Sequence, residues 1–514
     1  MDYGLMLVLH SHLPYLKHHG EDWLFEAMAE TYVPLVMTWS RLLAEDVRAC
    51  VTISLSPTLI QQLASDYIRK GFLQYLKECE KKARSDERHY SAAGEQELAR
   101  VARDYQRFYQ EVRRSYQVDL GGDLLGAFKD LRERVPLEII TTAATHSYLP
   151  LLKDQSGLER QIAMGKASFA KHLGFEPRGF WLPECGYYPG IEEILTRHGF
   201  EYVFVDGHAI EGGRPAQVFS GPYGISEEEV FSETGLSTYS PYMVEGHNLK
   251  VFGRNAMISQ QVWSKDNGYP GDPHYREYHK KASQSGLKYW RVTDRGLDQG
   301  SKAPYDREEA LRITKQHAGH FVRMVGDMLK EADKIGYPNP LVVACYDTEL
   351  FGHWWWEGVD WLEEVARQVA GKHNWKMVLP SRVLAQRDPI PSAKLFESSW
   401  GAGGKHLGWS NNETSWMWDT LDKAREELSL LEGTVLSKWA ERAHQQAIKE
   451  LMLMESSDWF FMVTNNYTRD YAVKRFLDHF AKLIRLTSLI KLNRFDAGDQ
   501  SWVMKIEQED RCFN

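Results

Sequence analysis

Long apolar runs, paired cysteines and a surplus of basic residues are all missing from this 514-residue sequence. No apolar stretch approaches the ~20 residues that a membrane-spanning helix requires, so no membrane partner is expected. The five cysteines (Cys50, Cys79, Cys185, Cys345 and Cys512) are odd in number, scattered and without a CxxC pair. Neither a disulfide framework nor a cysteine-based zinc site fits that pattern, and a reducing, cytoplasmic compartment is the expectation. The opening segment, MDYGLMLVLHSHLPYL, has a short apolar run and no basic leader, which is not the pattern of a signal peptide. With 62 Lys and Arg against 71 Asp and Glu, the formal net charge is −9. Neutralising a phosphate backbone takes the opposite sign, so no nucleic-acid partner is expected. What the chain does have is aromatic: 17 Trp, 25 Tyr and 21 Phe. Such a surplus serves a large core or stacks on flat ligands, and composition alone does not choose.

Short apolar runs, each stopped by polar or turn residues, recur at Gly4–Leu9, Cys50–Leu55, Leu137–Ala143, Gly179–Leu182, Tyr202–Val205, Leu249–Phe252 and Leu341–Cys345. Runs without polar alternation are the pattern of strands buried on both faces of a parallel sheet. Helical stretches at Leu24–Leu43, Leu158–His172, Ile191–His198 and Arg307–Ile335 lie between most of them. Repeated βα units with seven strands predict an α/β fold, a (β/α)7 barrel rather than an open sheet. The barrel is expected over residues 1–65 and 135–391. The charged, helix-prone stretch Asp66–Arg134 predicts an inserted helical subdomain (66–134). Beyond Ser392 the strand signal stops. Lys423–Leu431, Gly433–Met454 and Thr468–Lys491 predict three long helices in a C-terminal helical domain (392–514) that contributes to the active-site cleft.

In parallel barrels the active site lies at the C-terminal ends of the strands. Here the first run ends in His10-Ser11-His12, the third in His146, the fourth in Pro183-Glu184-Cys185, the fifth in Asp206 and His208, and the seventh in Tyr346-Asp347-Thr348-Glu349. Five of seven strands thus deliver an ionisable group to one rim, where chance would supply one or two. Any one of them is equally at home as a polar residue where a strand meets solvent; the whole ring is not. Glu184, in GFWLPECGYYPG, and Asp347, in LVVACYDTELFGHWWWEG, stand in equivalent places among aromatic residues. Paired carboxyls in such surroundings are what glycoside chemistry uses: one attacks the anomeric carbon or assists water, while a second, with a raised pKa, protonates the leaving oxygen. Trp23, Trp263, Trp354, Trp355, Trp356, Trp400, Trp409, Trp416 and Trp418 mostly lie in Gly-, Asn- and His-rich segments rather than on amphipathic helix faces. Indoles so placed can stack on sugar rings.

At these residues the chain resembles a known family. HSHLPY (His10–Tyr15), ATHSYLPLL (Ala144–Leu152), WLPECGY (Trp181–Tyr187), YDTELFGHWWWEG (Tyr346–Gly358) and SSWGAGGKHLGW (Ser398–Trp409) are similar, in order and spacing, to the five sequence regions of glycoside hydrolase family 57. The forms WLPEC and YDTELFGHWW, with a helical C-terminal domain, look like those of its 1,4-α-glucan branching enzymes rather than its 4-α-glucanotransferases. The resemblance implies a (β/α)7 barrel and retaining transfer on α-glucan by a monomer, with no cofactor and no metal. It makes Glu184 the nucleophile and Asp347 the general acid/base. It also places His10, His12, Trp23, His146, Arg254, Trp263, Trp400, Trp409 and Asp458 among the substrate-binding residues.

Branching members carry a loop with a tyrosine near the acid/base. The corresponding stretch here is Glu211–Gly246, whose middle, GISEEEVFSETG, has none. Tyr223, Tyr239 and Tyr242 flank it and are the candidates for that role. Without the tyrosine, hydrolysis competes with transfer, so an α-amylase-type hydrolase using the same residues is the alternative expectation. A metal-dependent barrel hydrolase of the deacetylase kind, with His10, His12, His146 and Asp347 around a zinc ion, is a second alternative. A non-catalytic glucan-binding protein is a third.

Overall fold

The computed structural model describes residues 3–212, 218–221, 224–227, 234–264, 268–372, 374–431 and 437–513. Its centre is a set of parallel strands: β1 (Gly4–Ser11), β2 (Val51–Leu55), β3 (Leu137–Thr142), β4 (Gly179–Trp181), β5 (Tyr202–Asp206), β6 (Lys250–Arg254) and β7 (Leu341–Asp347). They lie in the order β7-β1-β2-β3-β4-β5-β6. The Asn255 N–H, just past β6, donates to the Val343 carbonyl of β7 at 2.9 Å and bridges the two ends of the curl. Each strand coincides with an expected apolar run. β1 and β7 run two residues further, so that they end on polar groups.

Side chains alternate across a strand, and here the alternation sorts two cores. Met6 and Val8 of β1, Phe204 of β5, Phe252 of β6, and Val343 and Cys345 of β7 share one buried apolar cluster inside the curl. Leu5, Leu7 and Leu9 point the other way, into a larger cluster with the surrounding helices. Burying each large apolar side chain contributes about 1.5–3 kcal/mol. Carried one step further, the inward series leave the apolar layers and become His10, Asp206, Arg254 and Asp347. The barrel therefore sets a ring of ionisable groups over an apolar plug.

Two helices, Asp66–Ala92 and Gln96–Arg114, form an antiparallel hairpin between β2 and β3. The following helix, Leu124–Arg134, packs back on β3 and on the Val33–Ala44 helix. The expected insertion 66–134 is thus a helical hairpin plus one helix of the barrel's own outer layer. After the barrel, a two-residue strand, Ser392–Ala393, pairs with Tyr242–Val244, where no further strand was expected. Beyond it, among the described residues, come the helices Ser415–Ser429, Lys438–Met454, Ser457–Thr464, Arg469–Leu492 and Ala497–Glu509. The short helix Ser457–Thr464 was not foreseen, and it carries Asp458. Among the described residues no helix is long and apolar enough to cross a membrane.

Candidate active site

Strand register sets the first half of the site. His10 of β1 lies opposite Asp347 of β7, and Asp206 of β5 lies opposite Arg254 of β6. Glu184 arrives differently. β4 stops at Trp181, Pro183 opens a single 3-10 turn, and Glu184 itself takes φ 61°, ψ 25°. This left-handed conformation costs a non-glycine residue roughly 1–2 kcal/mol, and such outliers cluster at functional sites. His146, at the end of the β3 segment, shares it with φ 54°.

The turn brings the Glu184 carboxylate under two donors from far along the chain. The Trp400 indole Nε1–H donates to Oε2 at 2.6 Å, and the Ser457 hydroxyl donates to Oε1 at 3.3 Å. The Trp400 backbone N–H also donates to the Glu184 carbonyl at 3.1 Å. Burial pushes Glu184 up to about 8, the negative charge of Asp347 adds to this, and the Trp400 hydrogen bond opposes it. Burial likewise pushes Asp347 up to about 6, against the attraction of His12 and Arg254. Between these values the two carboxyls hold one proton between them.

Three imidazoles stand together beside the Glu184 carboxylate, with His146 Nδ1 3.9 Å from its Oε1. The rings of His12 and His146 stack at 3.9 Å, and His10 stacks between His146 and Trp181, 4.8 Å from each. His10 Nε2 and His146 Nε2 are 2.9 Å apart, so one donates and the other accepts. Burial, then repulsion from neighbouring imidazoles, holds both well below the usual histidine range, and both are neutral. Their other nitrogens bond Ser54 and Ser457, while His12 bonds Ser56 and Asp458. His12, His146 and Asp458 are close enough to reach one cation. Every one of their ring nitrogens is already engaged by a protein atom, so a metal would have to displace these bonds.

Sequence reasoning named Glu349 at the rim without a role, and passed over the groups around it. Glu349 is buried, accepts the His12 backbone N–H at 3.0 Å and the Tyr32 hydroxyl, and is pushed up to about 8 by burial. Tyr32, Ser54, Ser56 and Ser457 carry no local signal that would have marked them. Gly352, with φ 104°, lets the turn after Glu349 lie directly against the Glu30 carbonyl, where no side chain fits.

Several expectations need correction. Trp409 does not line the groove: it is 1% exposed and stacked on Tyr148 at 4.1 Å. Trp355 and Trp356 take the core role that is the commoner one for any single tryptophan, joined to the barrel's outer cluster. Trp263 is 58% exposed at the end of the Ala256–Trp263 helix, and Trp23 is half-buried between two clusters. Tyr239 and Tyr242 are not beside the acid/base. The Tyr239 carbonyl accepts from Leu341, the first residue of β7, whereas Asp347 is the last, about 20 Å along the strand. Tyr242 is buried in the Tyr242–Val244 strand, which pairs with the start of β6. Both are drawn to the far end of the barrel by that pairing. Tyr223 lies outside the described residues.

Comparison with known proteins supplies the wider setting. Residues 6–391 match the model of glycosyl hydrolase family 57, and residues 421–514 match that of the 1,4-alpha-glucan branching enzyme C-terminal region. The chain is 34% identical to a 1,4-alpha-glucan branching enzyme of Thermococcus kodakarensis, over 99% of this chain and 77% of that one. The crystal structure of the family 57 branching enzyme from that archaeon, in complex with glucose, superposes with a TM-score of 0.89 at 35% identity, covering 100% of this chain and 95% of the other. An alpha-amylase of Thermotoga maritima superposes with a TM-score of 0.84 at 28% identity, covering 99% and 97%.

Proposed function

We infer, on the premise that this chain belongs to glycosyl hydrolase family 57, that Glu184 and Asp347 carry out a double displacement on α-glucan. The chain is a 1,4-α-glucan branching enzyme, cleaving an α-1,4 bond with retention and transferring the segment to a 6-hydroxyl to form an α-1,6 branch. The observation that carries the residue assignment is a half-buried carboxyl pair at the strand ends, whose Glu184 member accepts from Trp400 and Ser457, two donors from beyond the barrel.

In the first step a Glu184 oxygen attacks the anomeric carbon as the glycosidic bond breaks. Asp347 gives its proton to the departing oxygen, and the shortened chain leaves with a new 4-hydroxyl. In the second step Asp347, now a carboxylate, takes the proton of an incoming 6-hydroxyl, whose oxygen displaces Glu184 from the same carbon. The site begins and ends with one proton. In the empty site Glu184 is the more basic of the two. Engagement of substrate therefore includes moving that proton to Asp347, where the glycosidic oxygen can accept it, while Trp400 and Ser457 stabilise the Glu184 carboxylate. His10, His12 and His146 line the subsite that holds the cleaved sugar, with Arg254, Trp400 and Asp458 at its edge and Trp23 and Trp263 along the groove.

The five cysteines are buried and none of them forms a disulfide, which fits a reducing compartment, and the enzyme is assigned to the cytoplasm. A monomer is the proposed state; one chain supplies every residue used above, and the reading needs no second copy.

Amylose is the test substrate, with reducing ends counted before and after a debranching enzyme. Branching keeps reducing ends low until debranching releases new chains. A steady rise without debranching would instead mean that water takes the intermediate. That amylase reading is favoured by one observation: Tyr239 and Tyr242 lie at the far end of the barrel and so cannot help close the acceptor side against water.

A further inference from the structure

The fifth strand delivers two titratable groups that the reaction does not use. Asp206 and His208 are 6% and 5% exposed and bonded to each other, Oδ1 to Nδ1, at 2.7 Å. The second Asp206 oxygen accepts from Arg254 Nε at 3.0 Å and forms an ion pair with one of its Nη atoms, 2.8 Å away. The guanidinium thus held lies over the Trp400 ring, 5.2 Å from its centre. On the other side, His208 Nε2 lies 3.1 Å from the Gly404 carbonyl. That carbonyl also accepts the N–H of Ser399, next to Trp400, and so closes the loop that carries the indole. The two nitrogens of His208 thus join a carboxylate on one side to a carbonyl on the other.

Two arms therefore leave Asp206 and meet at Trp400, one beneath its ring and one at the base of its loop. We propose that Asp206 and His208 are positioning residues for the nucleophile, acting through Arg254 and the 399–404 loop to hold the Trp400 indole N–H on Glu184. The inference rests on the reading of Glu184 as nucleophile. The indole bond stabilises the ionised carboxylate, so the clamp governs how readily Glu184 sheds its proton when glucan binds. The other groups facing Glu184 are Asp347, Asp458, His146 and the Ser457 hydroxyl. They remain in place when the clamp is loosened.

The test is a pair of variants and their combination, Asp206→Asn, Trp400→Phe and the double variant, read as pH profiles of kcat/KM. Loss of the indole bond raises the proton affinity of Glu184. Glu184 holds the proton of the empty pair, so each single variant should move the alkaline limb to higher pH by about one unit and lower kcat/KM near neutrality by roughly 10²-fold. The double variant should shift the limb no further than Trp400→Phe alone, because both changes remove one interaction. An unmoved limb in Asp206→Asn, or fully additive shifts, overturns the proposal. If Asp206→Asn does not fold, His208→Leu cuts the loop arm alone and is read in the same way. Glu184→Gln separates the two ideas: turnover in that variant sinks the nucleophile assignment itself, whereas an inactive Glu184→Gln with an unmoved limb in Asp206→Asn sinks only the clamp.

Discussion

His12 and Asp458 stand 446 positions apart in the chain and share a hydrogen bond of 2.8 Å. One belongs to the first strand's rim and the other to a short helix in the last part of the chain. Burial pushes the Asp458 carboxyl up, but attraction to His12, the shared bond and the Ser456 hydroxyl outweigh it and hold the group at about 2. Asp458 is thus a permanent anion at the edge of the cavity, and it fixes the face that His12 turns to the substrate.

Removing that anion tests the coupling. Asp458→Asn keeps the shape and loses the charge, and kcat/KM should fall about 10- to 100-fold, the worth of one charged hydrogen bond. Thermal melting should change little. A variant that melts early with unchanged kcat would give Asp458 a purely structural role.

The shared proton sets a pH window. Below about 6 the pair takes a second proton and the nucleophile is neutral; above about 8 it loses the only one and no acid remains. A profile of kcat/KM with limbs near these values is expected. Activity that stays flat to pH 10 would contradict the acid role of Asp347.

Glu349 offers a stability readout separate from activity. Its folded value is raised to about 8, so it keeps its proton in the folded chain where the unfolded chain has released it. The stabilisation is complete below the unfolded value, near 4.5, and is lost as pH rises through about 8. Glu349→Gln, whose carbonyl oxygen can still accept from Tyr32 and His12, should flatten the decline in Tm across that range. Melting curves at pH 5 and pH 8.5 decide it, and an unchanged slope would mean that Glu349 is ionised throughout.

Burial separates two tryptophans that look alike in sequence. Trp409→Ala should cost about 3–5 kcal/mol in stability, since it empties a buried site against Tyr148. Trp263→Ala, at an exposed position, should leave Tm alone and weaken glucan binding. Calorimetric titration with a maltooligosaccharide, beside melting curves, reads both effects. The reverse pattern would return Trp409 to the groove.

The contrast between those residues shows what the chain's order of amino acids makes legible. The barrel was readable because each strand is a continuous apolar run, and the rim positions of Glu184 and Asp347 were readable because they follow such runs directly. The same logic placed His10, His12 and His146. Trp409 misled because a Gly-rich segment does not reveal that Tyr148, 261 positions earlier, covers its face. Ser457 and Tyr32 were missed because they meet Glu184 and Glu349 across 273 and 317 positions. No local periodicity encodes such a meeting. Tyr239 and Tyr242 were misplaced because pairing at the start of β6 and β7, rather than loop length, decides at which end of the barrel they lie.

Both side-chain donors to Glu184, the Trp400 indole and the Ser457 hydroxyl, come after the last barrel strand. A ribosome that has released residue 391 has delivered both carboxyls and all three histidines, but neither donor. The emerging barrel can therefore close without a supported nucleophile. A supported nucleophile therefore requires the segment that carries Trp400 and Ser457 to dock on a barrel already closed, so the two parts of the site are assembled in sequence.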